Sequence, residues 1–237
     1  MKKIIYLISA LIISPLSFSQ NVKVAGEMKQ VMMGKDWSDH IAWDSIAQEN
    51  LYALAPLSGL KGEVTIIDGK LYSSRLNEKE KVEVEINKTD LSSPFAVYAH
   101  ILVWVTTIIN TPISNQEELF AQLKKLSIEK GLKLSTAFPI RLIGSFDKID
   151  YHIINAKEKE GAIRHGHEAH KKMQSHFSLQ KVEGEILAFY SQKHQGIFTH
   201  KGSFFHLHFI DNEEQNMGHV DGFTLSNIYL LLPLKSD

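Results

Sequence analysis

Cysteine is absent from the chain, and that one absence removes several chemistries at once. No disulfide framework, thiolate-held metal or cysteine nucleophile is available to it. An excess of either charge is missing too: 26 Lys+Arg face 27 Asp+Glu, for a formal net charge of −1. Binding to nucleic acid by counterion release needs a basic face, so no nucleic-acid partner is expected. No apolar run reaches the roughly 20 residues that a membrane-spanning helix needs, so no stable membrane span is expected. Neither an internal repeat nor a low-complexity segment interrupts the pattern. Histidine, by contrast, is plentiful, with 12 residues, and all but His40 and His100 fall between His152 and His219. At 237 residues, 43% hydrophobic and 22% charged, the chain suits one or two globular domains with a sizeable core.

Residues 1–19 read as a signal peptide. Lys2 and Lys3 precede an apolar run from Ile4 to Ile13, and the small residues Ser17 and Ser19 suit cleavage before Gln20. The expectation is an exported protein, periplasmic or extracellular after processing. The alternative is a buried N-terminal helix or a retained anchor.

The rest reads as strands with a few helices. Val22–Met33 is expected to be extended, and Ser38 or Asp39 to cap a short helix through Ala47. Residues 62–67 and 70–74 flank Asp68-Gly69, a hairpin signal. Lys81–Asn87 alternates charge with Val82, Val84 and Ile86, as a half-buried strand does. Phe95–Ile109 is almost wholly apolar and reads as one long or two buried strands. Ser114 with Glu117 matches a capping box ahead of a helix whose inward stripe is Leu119, Phe120, Leu123 and Leu126. Ala137–Phe146 reads as a strand, and short strands are expected at 185–190, 203–210 and 228–234. The polar stretch between marks a boundary. The expected organisation is an N-terminal mixed α/β domain at 20–155, a polar connection at 156–180 and a C-terminal β-barrel domain at 181–237.

The strand segment Phe205-His206-Leu207-His208-Phe209 carries the chemistry. Side chains two apart share a face, so His206 and His208 project together while Phe205, Leu207 and Phe209 project oppositely. His219, after a turn-rich stretch, returns as a third imidazole. Three histidines with an open position are a pattern of catalytic zinc; the alternative is ordinary surface or core histidines. A second group, His165, His167 and His170 with His176, sits in the polar stretch and reads as a solvated segment rather than a metal site. Cupins and alpha carbonic anhydrases also place two histidines on one strand, but their spacing to the remaining ligands differs.

His206, His208 and His219 reproduce the ligand spacing of the alpha-acetolactate decarboxylases, which the chain resembles. Upstream, in the same order, Leu60-Lys61-Gly62-Glu63, Ser93-Pro94-Phe95-Ala96-Val97, the Arg141 to Phe146 segment and His194-Gln195-Gly196-Ile197 resemble family segments. The resemblance implies a two-domain α/β and β-barrel fold, zinc held by His206, His208 and His219, and conversion of acetolactate to acetoin with loss of CO2. It also implies a small 2-hydroxy-3-keto acid as partner and a homodimer. Glu63 would relay the proton that reaches carbon, or face solvent before the hairpin. Arg141 would hold the substrate carboxylate, or form an interior ion pair with a strand carboxylate. Ala55-Pro56-Leu57-Ser58 departs from the family's Gly-Thr-Phe-Asn, Leu207 replaces its frequent Glu, and its C-terminal catalytic Glu has no assignable counterpart. Two readings therefore stand beside the decarboxylase: a non-catalytic zinc or small-acid binding relative, and another zinc lyase such as a CO2 hydratase.

Overall fold

Asp68 and Gly69 have φ of 52° and 77°, the left-handed pair that a two-residue hairpin loop favours. They join two strands in the register Glu63↔Ser74 to Ile67↔Lys70, so the expected hairpin is present. The computed structural model describes residues 22–130, 132–156 and 171–234. The segment 1–19, His165, His167, His170 and Asp237 lie outside the described residues.

In chain order the strands are β1 (Lys23–Ala25), β2 (Ile41–Ala42), β3 (Leu51–Pro56), β4 (Glu63–Ile67), β5 (Lys70–Leu76), β6 (Val82–Ile86), β7 (Ser92–Ser93), β8 (Ala96–His100) and β9 (Trp104–Ile109). They continue as β10 (Phe138–Ile154), β11 (Gln174–Tyr190), β12 (Phe205–Asp211) and β13 (Met217–Pro233). Two α-helices are described, α1 (Met28–Met32) and α2 (Gln116–Lys130). The architecture is mostly β-sheet with few helices. One sheet has the order β1-β8-β3-β4-β5-β6; a second has β10-β11-β12-β13-β9, and β13 also pairs back to β10.

Several expectations change. Val22–Met33 is not extended throughout: only Lys23–Ala25 is strand, and α1 follows after Gly26. The helix expected before Ala47 is instead the short strand β2, paired with β7, and one 3-10 turn at Trp43–Ser45. Trp43 is fully buried there, and its indole N–H donates to Ser93 Oγ at 3.0 Å. Of the two readings of the run from Phe95, two strands hold: β8 and β9, which belong to different sheets. The cap of α2 lies one residue later than expected. The Glu118 N–H donates to Asn115 Oδ1 at 2.8 Å, and Glu118 Oε2 accepts from the Ser114 N–H at 2.7 Å. Ser and Asn both cap well, and tertiary packing of Leu119, Leu123 and Leu126 selects Asn115.

The second sheet crosses the expected domain boundaries. β10 and β11 are 17 residues each and pair along their length, from Phe138↔Tyr190 to Ile154↔Gln174. β13 is also 17 residues long. These strands outrun the short segments read from sequence because bulges bend them without ending them. One lies where Gly144 pairs with Ile228 and Ser145 with Ser226, leaving Asn227 unpaired at a φ of 58°. A Cβ on Gly144 would stand 2.5 Å from the Asn227 carbonyl oxygen, so only glycine fits.

One face of this sheet packs under α2, where Phe205, Leu207 and Phe209 join Leu119, Leu123, Phe146 and Leu230. The opposite face packs on the first sheet, where Leu187 and Phe189 meet Tyr52, Leu54 and Val97. The histidines of β12 point toward this second interface.

Candidate metal centre

β12 is buried at every position, so alternation sorts its side chains between two interiors. Apolar Phe205, Leu207 and Phe209 take the core under α2. His206 and His208 take the other face and meet His219, which pairs directly with His208 across the strands. Their ring centroids lie 5.0 Å apart for His206–His208, 4.9 Å for His206–His219 and 5.5 Å for His208–His219. One nitrogen from each falls within 4.8 Å of the others. Gly218 permits this approach: a Cβ there would stand 2.6 Å from the His152 carbonyl oxygen.

Burial disfavours the cationic form of these imidazoles. It pushes His208 down to about 3 and holds His206 and His219 well below the ordinary histidine value, with neighbouring imidazoles adding to the effect. Neutral rings keep a lone pair for a metal. The other nitrogen of His208, Nδ1, lies 2.9 Å from Thr65 Oγ1. Outer contacts of this kind fix the tautomer and orientation of a ligating imidazole. His206 Nδ1 and His208 Nε2 are then left buried without a hydrogen-bond partner. Orphaned buried nitrogens each cost about 1–3 kcal/mol, and a divalent cation between them would satisfy both. The residues fit a three-histidine metal site.

Glu63, at the start of β4, joins this site. It is 4% exposed, Oε1 accepts the Ile154 N–H at 3.1 Å, and Oε2 lies 3.8 Å from His208 Nε2. Burial raises its carboxyl well above the ordinary range, Asp221 adds to the rise, and the Ile154 N–H opposes it. A cavity lined by Glu63, His152, His200, His206 and His219 has apolar walls from Met28, Pro56, Leu60, Phe95 and Ile154. A small molecule entering it would meet imidazoles, the Glu63 carboxyl and little else that is polar.

The family model for alpha-acetolactate decarboxylase matches residues 27–233. The chain belongs to the alpha-acetolactate decarboxylase family. Among relatives of this family, the alpha-acetolactate decarboxylase of Brevibacillus brevis is 27% identical over 177 residues, which cover 75% of this chain and 57% of that protein. The chain thus spans under two thirds of that decarboxylase's length. The fold is shared with the alpha-acetolactate decarboxylase of Bacillus subtilis strain 168, at a TM-score of 0.73 and 21% identity, covering 90% of this chain and 85% of that one. It is shared too with a Staphylococcus aureus protein described as similar to alpha-acetolactate decarboxylase, at a TM-score of 0.70 and 21% identity, covering 89% and 84%.

Within this family framework, the structure brings together four of the five residues singled out from sequence: Glu63, His206, His208 and His219. Arg141 lies elsewhere. Its Nη2 donates to Glu185 Oε2 at 2.8 Å and its Nε to Oε1, a bidentate pair linking β10 to β11. The guanidinium also stacks over Tyr52 and Trp104, 5.7 and 5.6 Å from their ring centroids. Arg141 is not among the residues lining the cavity. Sequence reasoning missed His152 and His200, which do line it. His152 faces His219 at a ring separation of 4.8 Å, and His200 faces the same ring at 5.2 Å. Only the strand register, His152↔His219, signals the first of these.

Proposed function

We propose that the chain is a zinc-dependent acetolactate decarboxylase that forms acetoin. The observation carrying this reading is the pair of orphaned nitrogens, His206 Nδ1 and His208 Nε2, beside the buried carboxyl of Glu63. His206, His208 and His219 would hold the cation. When bound, zinc supplies Lewis acidity toward the ketone and hydroxyl oxygens of the substrate.

The reaction breaks the bond between the hydroxyl-bearing carbon and the carboxylate. CO2 leaves, the electron pair spreads into the neighbouring carbonyl, and one proton is taken up at carbon. Glu63 suits the last step. Burial raises its carboxyl well above the ordinary range and so favours the proton-carrying form, Oε1 accepts the Ile154 N–H, and Oε2 lies 3.8 Å from His208 Nε2. Phe95, Leu60 and Met28 line the same cavity and give it apolar walls. Arg141 takes the role of an ion-pair anchor between β10 and β11, because Glu185 holds its Nε and Nη2 bidentately and Arg141 does not line the cavity.

Export belongs to the same proposal, supported by Lys2, Lys3 and the Ile4–Ile13 run. A mature N-terminus at Gln20, read by N-terminal sequencing of secreted protein, is the expected result. A homodimer is proposed from family membership and is read by sedimentation. The function is tested by acetoin formation from racemic acetolactate. Zinc-loaded protein should exceed the spontaneous rate, and His206→Ala should return to it. Folded, zinc-loaded protein that makes no acetoin above the spontaneous rate would remove the activity.

A further inference from the structure

We propose that His152, His176 and Asp221 form a second site for a first-row divalent cation, beside the three-histidine centre. The three come from adjacent strands: His176 on β11 pairs with His152 on β10, and β13 supplies Asp221. Asp221 owes its position to a bulge. Asp150 pairs with Gly222 and Tyr151 with Val220, which leaves Asp221 as the extra residue without a cross-strand partner. Bulges of this kind redirect a side chain, often near a functional site. Here the redirected carboxylate meets both imidazoles: Oδ1 lies 2.7 Å from His152 Nδ1 and Oδ2 lies 2.9 Å from His176 Nδ1. One ligand atom from each residue lies within 4.8 Å of the other two.

Two imidazole nitrogens and one carboxylate oxygen suit zinc, cobalt, nickel or iron(II). Calcium and magnesium, which take oxygen ligands, fit poorly. Ligands bonded at about 2.0–2.2 Å to a tetrahedral ion stand roughly 3.3 Å apart, so a trio whose ligand atoms lie within 4.8 Å of one another would draw in around the ion through side-chain adjustment. With a cation bound at Nδ1, each imidazole would carry its proton on Nε2. For His152 that nitrogen lies 3.1 Å from the Gln174 side-chain amide, whose oxygen can accept it when the amide is turned over. His176, with a side chain 59% exposed, leaves an entry path and room for water on the ion. His152 is buried and shares its other neighbour, His219, with the first centre. The two sites are therefore adjacent, yet they have no ligand in common, and the second does not depend on the decarboxylase reading.

Equilibrium dialysis of the full chain against cobalt(II), with metal analysis and the visible cobalt spectrum, tests this site. The expected result is two cobalt ions per wild-type chain and one in His176→Ala, with the weaker affinity lowered at least tenfold. Because His176 is exposed, its variant should melt like the wild type in chelator. A chain carrying H165A, H167A and H170A should still bind two ions, placing the second away from that segment. In His206→Ala the ion sensitive to His176 should persist even as the first is lost. Wild-type binding that His176→Ala leaves unchanged, whether of one ion or two, or loss of the His176-sensitive ion in the H165A/H167A/H170A chain would each overturn the proposal.

Discussion

Replacing Glu63 by glutamine separates its shape from its proton. Glutamine keeps the carbonyl oxygen that accepts the Ile154 N–H, a contact of 3.1 Å, and fills the same buried volume. Burial raises the wild-type carboxyl well above the ordinary range, so the substitution keeps the uncharged form that burial favours. What it removes is the transferable proton. General acid–base catalysis by a positioned side chain contributes about 10²–10⁴-fold, equivalent to roughly 3–5 kcal/mol of barrier. Glu63→Gln should therefore lower kcat for acetoin formation by about two to four orders of magnitude. Zinc content and melting temperature should stay at wild-type values. The assay is initial-rate acetoin formation, corrected for spontaneous decarboxylation, at matched metal occupancy. A variant within about threefold of wild type, a change worth only ~0.7 kcal/mol, would refute the proton role of Glu63. Loss of zinc along with activity would refute it equally and make Glu63 a positioning residue.

Further outcomes follow from the same geometry. Thr65→Val removes the hydroxyl 2.9 Å from His208 Nδ1 and should weaken zinc affinity about 10–100-fold, measured by competition with a chromophoric chelator. Arg141→Ala leaves Glu185 without its partner in a largely buried setting and should cost about 2–3 kcal/mol of stability in denaturant unfolding, less than a fully buried pair would lose. Activity per folded molecule should survive that change if Arg141 is an anchor rather than a substrate ligand. Leu123→Ala, in the fully buried seam between α2 and the second sheet, should cost roughly 2–5 kcal/mol by the same measurement. Acid should destabilise the metal-free protein early. His208 is held at about 3 in the fold against 6.5 outside it, so the unfolded chain binds that proton first. Its contribution is complete above about pH 6.5 and is lost as pH falls toward about 3. Thermal melts in chelator at pH 7, 6, 5 and 4 should show that decline.

Local signals were readable in the sequence where the physics is local. Asp68-Gly69 names its own turn, the stripe of Leu119, Leu123 and Leu126 names the buried face of α2, and alternation puts His206 and His208 together. Contacts set by register were not readable. His152, His176 and Asp221 come from β10, β11 and β13, and only the pairing of those strands with the bulge at Asp221 brings them together. The same reason hides the true strand lengths: glycines and polar residues along β10, β11 and β13 resemble strand ends, but bulges at Asn227 and Asp221 carry the pairing through them. Phe95–Ile109 shows no breaker, so the passage of the chain from one sheet to the other at residues 101–103 leaves no mark in composition. Arg141 was ambiguous because its partner, Glu185, lies on another strand.

The central claim is that three buried imidazoles hold one catalytic cation, and anomalous diffraction at the zinc edge on crystals of the zinc-loaded chain tests it most directly. A strong peak is expected about 2.0–2.1 Å from His206 Nδ1, His208 Nε2 and a ring nitrogen of His219. Zinc-loaded crystals with no anomalous density among those three rings would contradict it.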